Sequence, residues 1–148
     1  MTHPLVTAAR AYLGVPFRHR GRSSHALDCA GLGWLAFRDL GIALPDLRHY
    51  GREPFRDGLM TALTAALGPP VDGPPSPQEG DIAVFALVVG GSPHHVALIG
   101  LAPYTDNGRP VLTMIHADSS VRQVVEQRLD AWWTDRLCAV YRRAAWPA

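Results

Sequence analysis

The sequence lacks lysine, has little cysteine and contains no long hydrophobic run. All fourteen basic residues are arginines, which excludes Schiff-base chemistry, a lysine general base and a Walker-type phosphate loop, because each needs an ammonium side chain. The two cysteines, Cys29 and Cys138, lie far apart, so a disulfide scaffold is not expected. The longest apolar run, Ile82–Val89, is far shorter than the roughly 20 residues that span a bilayer. We therefore expect no membrane insertion.

The chain has enough hydrophobic material for one folded domain. Its 148 residues are 47% hydrophobic and 18% charged, which argues against intrinsic disorder. Fourteen basic and thirteen acidic residues give a net charge of +1, which argues against nucleic acid as a partner. The first ten residues do not show a basic segment followed by an apolar one. We therefore expect no signal peptide and synthesis in the cytoplasm.

The first half of the sequence predicts helices. Apolar residues recur there at helical spacing, with Pro4 at one predicted start and glycines at the predicted ends. Asp28 is a candidate N-cap of the second helix, and Gly41 is a candidate for the C′ position after it. The predicted helices are Pro4–Leu13, Cys29–Leu40 and about Phe55–Leu67, and Val15–Leu27 is predicted to be a loop.

The second half changes to the two-residue period of strands. The Pro-rich segment 69–77 between the halves can be an interdomain linker, but each piece would then hold only about 70 residues. We favour a stiff connection inside a single domain, residues 1–148. Helices followed by a meander predict an α+β fold, with N-terminal helices packed on a C-terminal antiparallel β-sheet. The predicted strands are Asp81–Val89, His95–Leu101, Val111–Ala117, Val121–Glu126 and Leu137–Arg143, with a short helix at Leu129–Thr134.

Cys29 is the most informative residue. If Asp28 caps the second helix, Cys29 lies in its first turn, where the helix dipole and free N–H groups favour a thiolate nucleophile and can form part of an oxyanion site. Gly31 and Gly33 in that turn indicate a close approach to the backbone. The alternative is a buried, unreactive cysteine, which is the usual state of a free thiol.

Two histidines at predicted strand ends are candidates for the base. If His95 lies directly opposite His116, both imidazoles share one face, so that one can take the thiol proton while the other orients it. A competing register, centred on the turn signal Asn107-Gly108, pairs His116 with Ile99 and separates the histidines by four positions. The sequence leaves both registers open.

Several short motifs follow one another along almost the whole chain. They are Gly14-Val-Pro-Phe17, Gly21-Arg-Ser23, Asp28-Cys-Ala-Gly-Leu32, Gly41-Ile-Ala-Leu-Pro45, Glu79-Gly-Asp81, His95-Val-Ala-Leu-Ile99 and Ile115-His-Ala117. In this order they resemble the NlpC-type cell-wall cysteine peptidases. The resemblance implies a papain-like NlpC-type fold, with Cys29 as nucleophile, His95 as general base and His116 as the orienting third member. It also implies hydrolysis of the D-glutamyl–diamino acid bond in peptidoglycan stem peptides.

The sequence departs from the family pattern at three places. Ala30 stands where the family usually has Ser, and Phe17 where it usually has a Tyr that helps the oxyanion site or the substrate. Where secreted members carry Trp-Gly-Gly, this chain has His19-Arg-Gly-Arg-Ser23, which is similar to phage-tail-associated peptidases, including those of gene-transfer-agent particles. That similarity implies partners in a phage-like tail hub or tail tip. It also implies delivery by the particle to the periplasm or cell wall of a target cell.

Other residues near Cys29 are candidates for oxyanion or substrate contacts, namely Phe17, Arg18, His19 and Asp28. Arg18, Arg20 and Arg22 form either a patch that binds stem-peptide carboxylates or a solvated loop. No tight metal-ligand spacing occurs around His19, His25 and Cys29, so neither a metal nor a cofactor is predicted.

Three further side chains receive structural interpretations. His94 is expected to point away from the face of His95 and to contact solvent or a loop. Cys138 is expected to be packed in its strand. Trp132-Trp133 is interpreted as core plus surface, or as lining for a saccharide or partner. Two other functions stay open: a weak or inactive structural tail-hub component, which Phe17 favours, and a Cys-His-His amidase or acyltransferase acting on another substrate.

Overall fold

Helices occupy the first half of the chain and strands the second, in a computed structural model that describes residues 2–44 and 59–142. The helices of the first half pack on one face of an antiparallel sheet, which is the α+β arrangement that the sequence predicts. The helices are α1 (Pro4–Arg10), α2 (Cys29–Asp39), α3 (Leu59–Leu67) and α4 (Ala131–Thr134). The strands are β1 (Arg22–Ser23), β2 (Ala26–Leu27), β3 (Ile82–Ala86), β4 (Pro93–Asp106), β5 (Arg109–Asp118), β6 (Gln123–Arg128) and β7 (Leu137–Tyr141).

Helix α1 begins as predicted and ends early. Pro4 lies at its start, where a backbone N–H would have no partner within the helix, so the N–H that proline lacks is not missed. The helix ends at Arg10 rather than at Leu13, because residues 11–14 form turns. Gly14 closes this segment with a φ of +86°, and its N–H donates to the Val124 carbonyl at 2.9 Å. The end of α1 is thereby tied to the sheet.

Helix α2 begins where its cap predicts. Asp28 Oδ1 accepts a hydrogen bond from the Gly31 N–H at 2.7 Å, which confirms the predicted N-cap. Gly41 follows the helix with a φ of +78°, a left-handed conformation that favours glycine, as predicted for the C′ position. The cap therefore makes Cys29 the first residue of α2.

Three predicted features reach outside the described residues: the helix start at Phe55, the end of the motif at Pro45 and the strand end at Arg143. Within the described part of the chain, no helix combines the length and the apolar composition needed to cross a membrane.

The sheet has the strand order β6-β5-β4-β3-β7 and buries residues on both faces. One face packs against α1, α2 and α3, while α4 covers part of the other through Trp133. Because side chains alternate along a strand, His95 and His116 lie on the second face, each two residues from a buried member of its core. That second core consists of Ala83, Phe85, Ala97, Ile99 and Met114.

Several strands differ from the prediction. Strand β4 runs to Asp106 rather than to Leu101, and β6 is shifted by two residues along the chain. The predicted loop Val15–Leu27 contains the β1–β2 hairpin, whose two-residue strands are too short to show a period in the sequence. Strand β3 ends at Ala86, because its pairing with β4 shifts after Phe85. The apolar residues Leu87–Val89 that follow are exposed rather than part of the strand.

Candidate active site

Cys29 lies at the start of α2, where the helix end meets strand β4. Its side chain is half-buried. The backbone N–H groups of Val96 and Ala30 lie near its sulfur and lower the pKa of the thiol. Val96 is the residue after His95, so the sulfur lies beside the strand that carries the predicted base. The second cysteine, Cys138, is exposed on β7, and the prediction that it is packed is wrong.

A buried ion pair holds this end of α2. Arg22 Nη1 lies 2.8 Å from Asp28 Oδ1, and both side chains are 3% exposed. Asp28 Oδ2 accepts from the Arg20 N–H at 2.8 Å, in addition to the cap bond that Oδ1 accepts from Gly31. The carboxylate of Asp28 therefore joins the β1–β2 segment to the helix that begins at Cys29. Its predicted substrate contact stays a prediction.

Gly31 makes this close packing sterically feasible. A Cβ at Gly31 would lie 2.1 Å from the carbonyl oxygen of Gly21 and 2.9 Å from Arg22 Nη1. The predicted close approach is therefore confirmed at Gly31, where the approaching group is the chain's own backbone. At Gly33 it is wrong, because a Cβ there would meet no heavy atom within 4 Å. The pairing also removes Arg22 from the predicted basic patch, since its side chain is buried, whereas Arg18 and Arg20 are exposed.

The two histidines are in direct contact. His95 Nε2 lies 2.7 Å from His116 Nδ1, and the ring centroids are 4.9 Å apart with the planes at 75°. His116 is fully buried. The predicted sharing of one face is confirmed, whereas the catalytic roles of the two histidines stay predictions.

Neither predicted register describes the whole β4–β5 hairpin. Beside the turn, Asp106 pairs with Arg109, as the Asn107-Gly108 signal requires. An irregularity between Ala102 and Thr105 then shifts the pairing by two, so that Leu98 lies opposite Ile115. His95 is therefore not directly opposite His116, and the diagonal neighbours still meet because a shift of two keeps side chains on the same face.

Two residues that the sequence did not single out for the site complete the surroundings of the imidazoles. Gln127 Oε1 on β6 lies 2.9 Å from His116 Nε2. The Trp133 ring lies 5.5 Å from His95 and 5.4 Å from His116, centroid to centroid. The sequence predicts that the Trp132-Trp133 pair is core plus surface or lines a binding surface, and Trp133 packs on both rings. A glutamine in a strand carries no sequence signal for this role, because the contact depends on the β5–β6 register.

Burial sets the charge state of the candidate nucleophile and base. It raises the pKa of the Cys29 thiol to about 12, with a further rise from the nearby Asp28 carboxylate. It lowers the pKa of His95 to about 3 and also lowers the pKa of His116. The thiolate that the helix position predicted is therefore not the resting form, because burial disfavours the charged form of the thiol. At neutral pH the three groups are uncharged.

One carboxylate acts on both imidazoles from a distance. Asp118 is two residues beyond His116 on β5, and its charge raises the pKa of His95 and of His116 against the effect of burial. Burial raises the pKa of Asp118, but hydrogen bonds from Ser120 outweigh it and hold that pKa below its usual value. Asp118 is therefore a negative charge available to stabilise an imidazolium.

The other predicted site residues precede β1. Phe17 is half-buried against the helix-side core and forms a parallel bridge with Leu27. Arg18 is exposed, and its backbone N–H donates to the Leu27 carbonyl at 2.9 Å. His19 is half-buried. These positions lie close in the fold to the start of α2, and the predicted oxyanion or substrate contacts stay predictions.

Two further expectations concern a histidine and a metal. His94 Nδ1 lies 2.7 Å from the Ser92 carbonyl oxygen, which confirms the expected loop contact. Within residues 2–44 and 59–142, no group of three or more His, Cys, Asp or Glu side chains is arranged to hold a metal ion.

Comparison with known proteins gives consistent matches. An NlpC/P60 family protein of Bacillus cereus has 26% identity over 96% of this chain, with a TM-score of 0.63. A lipoprotein-like NLP/P60 family protein of Staphylococcus aureus has 22% identity over 94%, with a TM-score of 0.57. The chain spans 40% of the length of each. The NlpC/p60 domain of the peptidoglycan hydrolase SagA has 18% identity and a TM-score of 0.59, with coverage of 94% of this chain and 96% of that one.

These matches confirm the expected α+β, papain-like fold. No curated protein gives a significant match. The model of the NlpC/P60 family matches residues 14–142, which is most of the sequence. The chain therefore belongs to the NlpC/P60 family.

Proposed function

We propose that this chain is a cysteine endopeptidase that hydrolyses peptidoglycan stem peptides between D-glutamate and a diamino acid. The observation that carries the proposal is the hydrogen bond between His95 on β4 and His116 on β5. The residue after His95, Val96, lies near the Cys29 thiol and lowers its pKa through its backbone N–H. The NlpC/P60 family is one of cysteine peptidases and peptidoglycan hydrolases, and the similar SagA domain belongs to a peptidoglycan hydrolase. Family membership therefore supports the substrate class.

In the proposed reaction, Cys29 is the nucleophile and His95 the general base. Nε2 of His95 is occupied by His116, so Nδ1 is the nitrogen that takes the proton from the Cys29 thiol. As the proton leaves, the sulfur attacks the carbonyl carbon, and His95 then returns the proton to the departing amine as the C–N bond breaks. Water hydrolyses the resulting thioester, giving one proton to His95, which restores the thiol.

The charge state of the site determines when the proton moves. With a thiol pKa of about 12 and a His95 pKa of about 3, the free enzyme does not hold a thiolate–imidazolium pair. Proton transfer therefore accompanies the attack on the substrate, when charge develops that the site can stabilise. Asp118 raises the pKa of both imidazoles and so favours the imidazolium at that moment.

The test is cleavage of purified muropeptides, followed by mass spectrometry. The wild-type chain is expected to release fragments that end in D-glutamate, and Cys29→Ala to release none. Cys138→Ala is the matched control, because that cysteine is exposed on β7, which β3 separates from β4, and this variant should cleave at the wild-type rate. Cleavage by Cys29→Ala would exclude covalent catalysis by this thiol. Fragments with another terminus would place the cleaved bond elsewhere in the stem.

We also propose that a phage-like tail delivers the chain to the periplasm or wall of a target cell, with tail-hub or tail-tip proteins as partners. The similarity of Gly21-Arg-Ser23 to tail-associated peptidases supports this. The test is to purify tailed particles from a producing strain and to detect the chain by mass spectrometry. Particles that lack it would contradict delivery. Particles that contain it, while the pure chain cleaves no muropeptide, would favour the structural hub component.

A further inference from the structure

Gln127 ends a row of three hydrogen-bonded side chains on adjacent strands. Its Oε1 is 2.9 Å from His116 Nε2, and the other nitrogen of that ring is 2.7 Å from His95 Nε2. The β5–β6 register pairs Gln127 with Met114, two residues before His116, so the side chains meet diagonally on one face. The row leaves Nδ1 of His95 as the terminal ring nitrogen.

The chemistry of the three groups gives the row a direction. A neutral imidazole carries one N–H and one lone pair, and burial keeps both rings neutral by lowering the pKa of His95 and of His116. The amide oxygen of Gln127 can only accept, so it requires the proton of His116 on Nε2. Nδ1 of His116 then accepts from Nε2–H of His95. The lone pair of His95 is thereby left on Nδ1.

We propose that Gln127 is a positioning residue that sets the tautomers of His116 and His95, and so makes His95 Nδ1 the proton acceptor. The effect of Gln127 on catalysis rests on the proposed function, whereas the assignment of the tautomers does not. If the group at 127 donated to His116 instead, every bond in the row would reverse. His95 would then carry its proton on Nδ1 and could not accept one there from a thiol.

The other groups around the two rings do not set this direction. Trp133 packs on both rings from α4 without a hydrogen bond to either. Asp118 acts on both through its charge, while its carboxylate accepts from Ser120. Cys29 on α2 is a further titratable group, on the side of the nucleophile. Substitution of Gln127 leaves all of these in place.

The primary test measures the tautomers directly in the full chain. With histidine labelled by ¹⁵N, the imidazole nitrogens at neutral pH distinguish a protonated from an unprotonated position. The expected result is a proton on Nε2 of both His116 and His95. Each imidazole signal is assigned to its residue by its loss in His95→Gln or in His116→Gln. A wild-type His116 protonated on Nδ1 would overturn the proposal, whatever the enzyme's activity.

Two substitutions test the role of the acceptor. Gln127→Met removes the acceptor and keeps a side chain of similar size. A population of His116 with its proton on Nδ1 should then appear. Because one neutral hydrogen bond is lost, kcat should fall about 5- to 10-fold with KM unchanged. The matched control is Gln123→Met, the same change at an exposed position of the same strand. It should alter neither the tautomers nor kcat. Unchanged tautomers and kcat in Gln127→Met would refute the proposal.

Gln127→Glu gives a pH signature that a purely structural residue would not. The carboxylate still accepts from His116, so kcat near pH 9 should match the wild type. It also raises the pKa of His116, and once protonated that ring donates from Nδ1 and reverses the bond to His95. The acidic limb of the kcat profile should therefore move to higher pH, and a profile identical to the wild type would count against the proposal. If no stem peptide is cleaved while His116 carries its proton on Nε2, the proposed function fails and the tautomer assignment stands.

Discussion

The ion pair between Arg22 and Asp28 should be a large local contribution to stability, and Arg22→Met tests it. The substitution removes a guanidinium at 2.8 Å from Asp28 Oδ1 and leaves a carboxylate that is 3% exposed. Methionine retains most of the apolar stem, so packing changes little. The main perturbation is a buried negative charge without its cation.

The expected magnitude follows from that burial. Removing one partner of a buried ion pair typically costs about 3–5 kcal/mol, because the remaining charge is desolvated. For a domain of this size that corresponds to a fall in Tm of roughly 6–20 °C. Asp28 caps α2 through Gly31, so the damage is centred on the helix end that carries Cys29.

The measurement is urea and thermal unfolding followed by circular dichroism, with two companion variants. Arg22→Met/Asp28→Asn removes the charge but keeps a side-chain oxygen that caps a helix, and should recover at least half of the loss. Arg38→Met is the matched control, because Arg38 and Asp39 pair at 3.3 Å with side chains 55% and 36% exposed. It should change the free energy of unfolding by less than about 1 kcal/mol.

Two results would refute this reasoning. One is an Arg22→Met chain as stable as Arg38→Met, which would mean that the buried pair contributes no more than an exposed one. The other is a double variant no more stable than Arg22→Met. The cost would then come from lost packing or geometry rather than from the uncompensated charge of Asp28.

Three further predictions concern individual side chains. Burial lowers the pKa of His95 to about 3, so between that pH and its usual 6.5 the unfolded chain binds a proton that the folded chain does not. The free energy of unfolding should therefore fall by about 2 kcal/mol from pH 7 to pH 5 on account of His95, and urea unfolding of His95→Gln should lack that part of the decrease. Burial raises the pKa of Cys29 to about 12, so the thiol should be neutral and unreactive at pH 8. In a Cys138→Ala background, iodoacetamide should therefore alkylate Cys29 more slowly than it alkylates free cysteine, and faster alkylation would contradict the neutral thiol. Phe17→Tyr should raise kcat on muropeptides by up to about 10²-fold with little change in KM if a hydroxyl there reaches the oxyanion, and an unchanged kcat would exclude residue 17 from that role.

Features that depend on neighbouring residues could be predicted well. The N-cap of α2 depends on the spacing between Asp28 and Gly31, and the C′ glycine depends on a left-handed φ at Gly41. The five strands of the sheet were predicted within a few residues, because a strand's two-residue period can be read from its own side chains. The order of motifs around Cys29 and His95 likewise led to the family.

Features that join distant segments could not be predicted in the same way. The β4–β5 register depends on an irregularity between Ala102 and Thr105 that has no clear sequence signal. Arg22 could be interpreted as solvated or as binding a carboxylate, and its burial beside Asp28 depends on the β1–β2 hairpin.

The chain's local chemistry is enough to specify a capped helix that begins with a cysteine, and strands that carry histidines. Long-range pairing decides which atoms these groups contact. It brings His95, His116 and Gln127 into one hydrogen-bonded row across three strands. It also desolvates Cys29 and the imidazoles, which disfavours their charged forms, so the resting groups are neutral. Desolvation and hydrogen-bond direction depend on everything that surrounds a group, which is why the charge state of this site follows from the folded chain and not from the order of its residues.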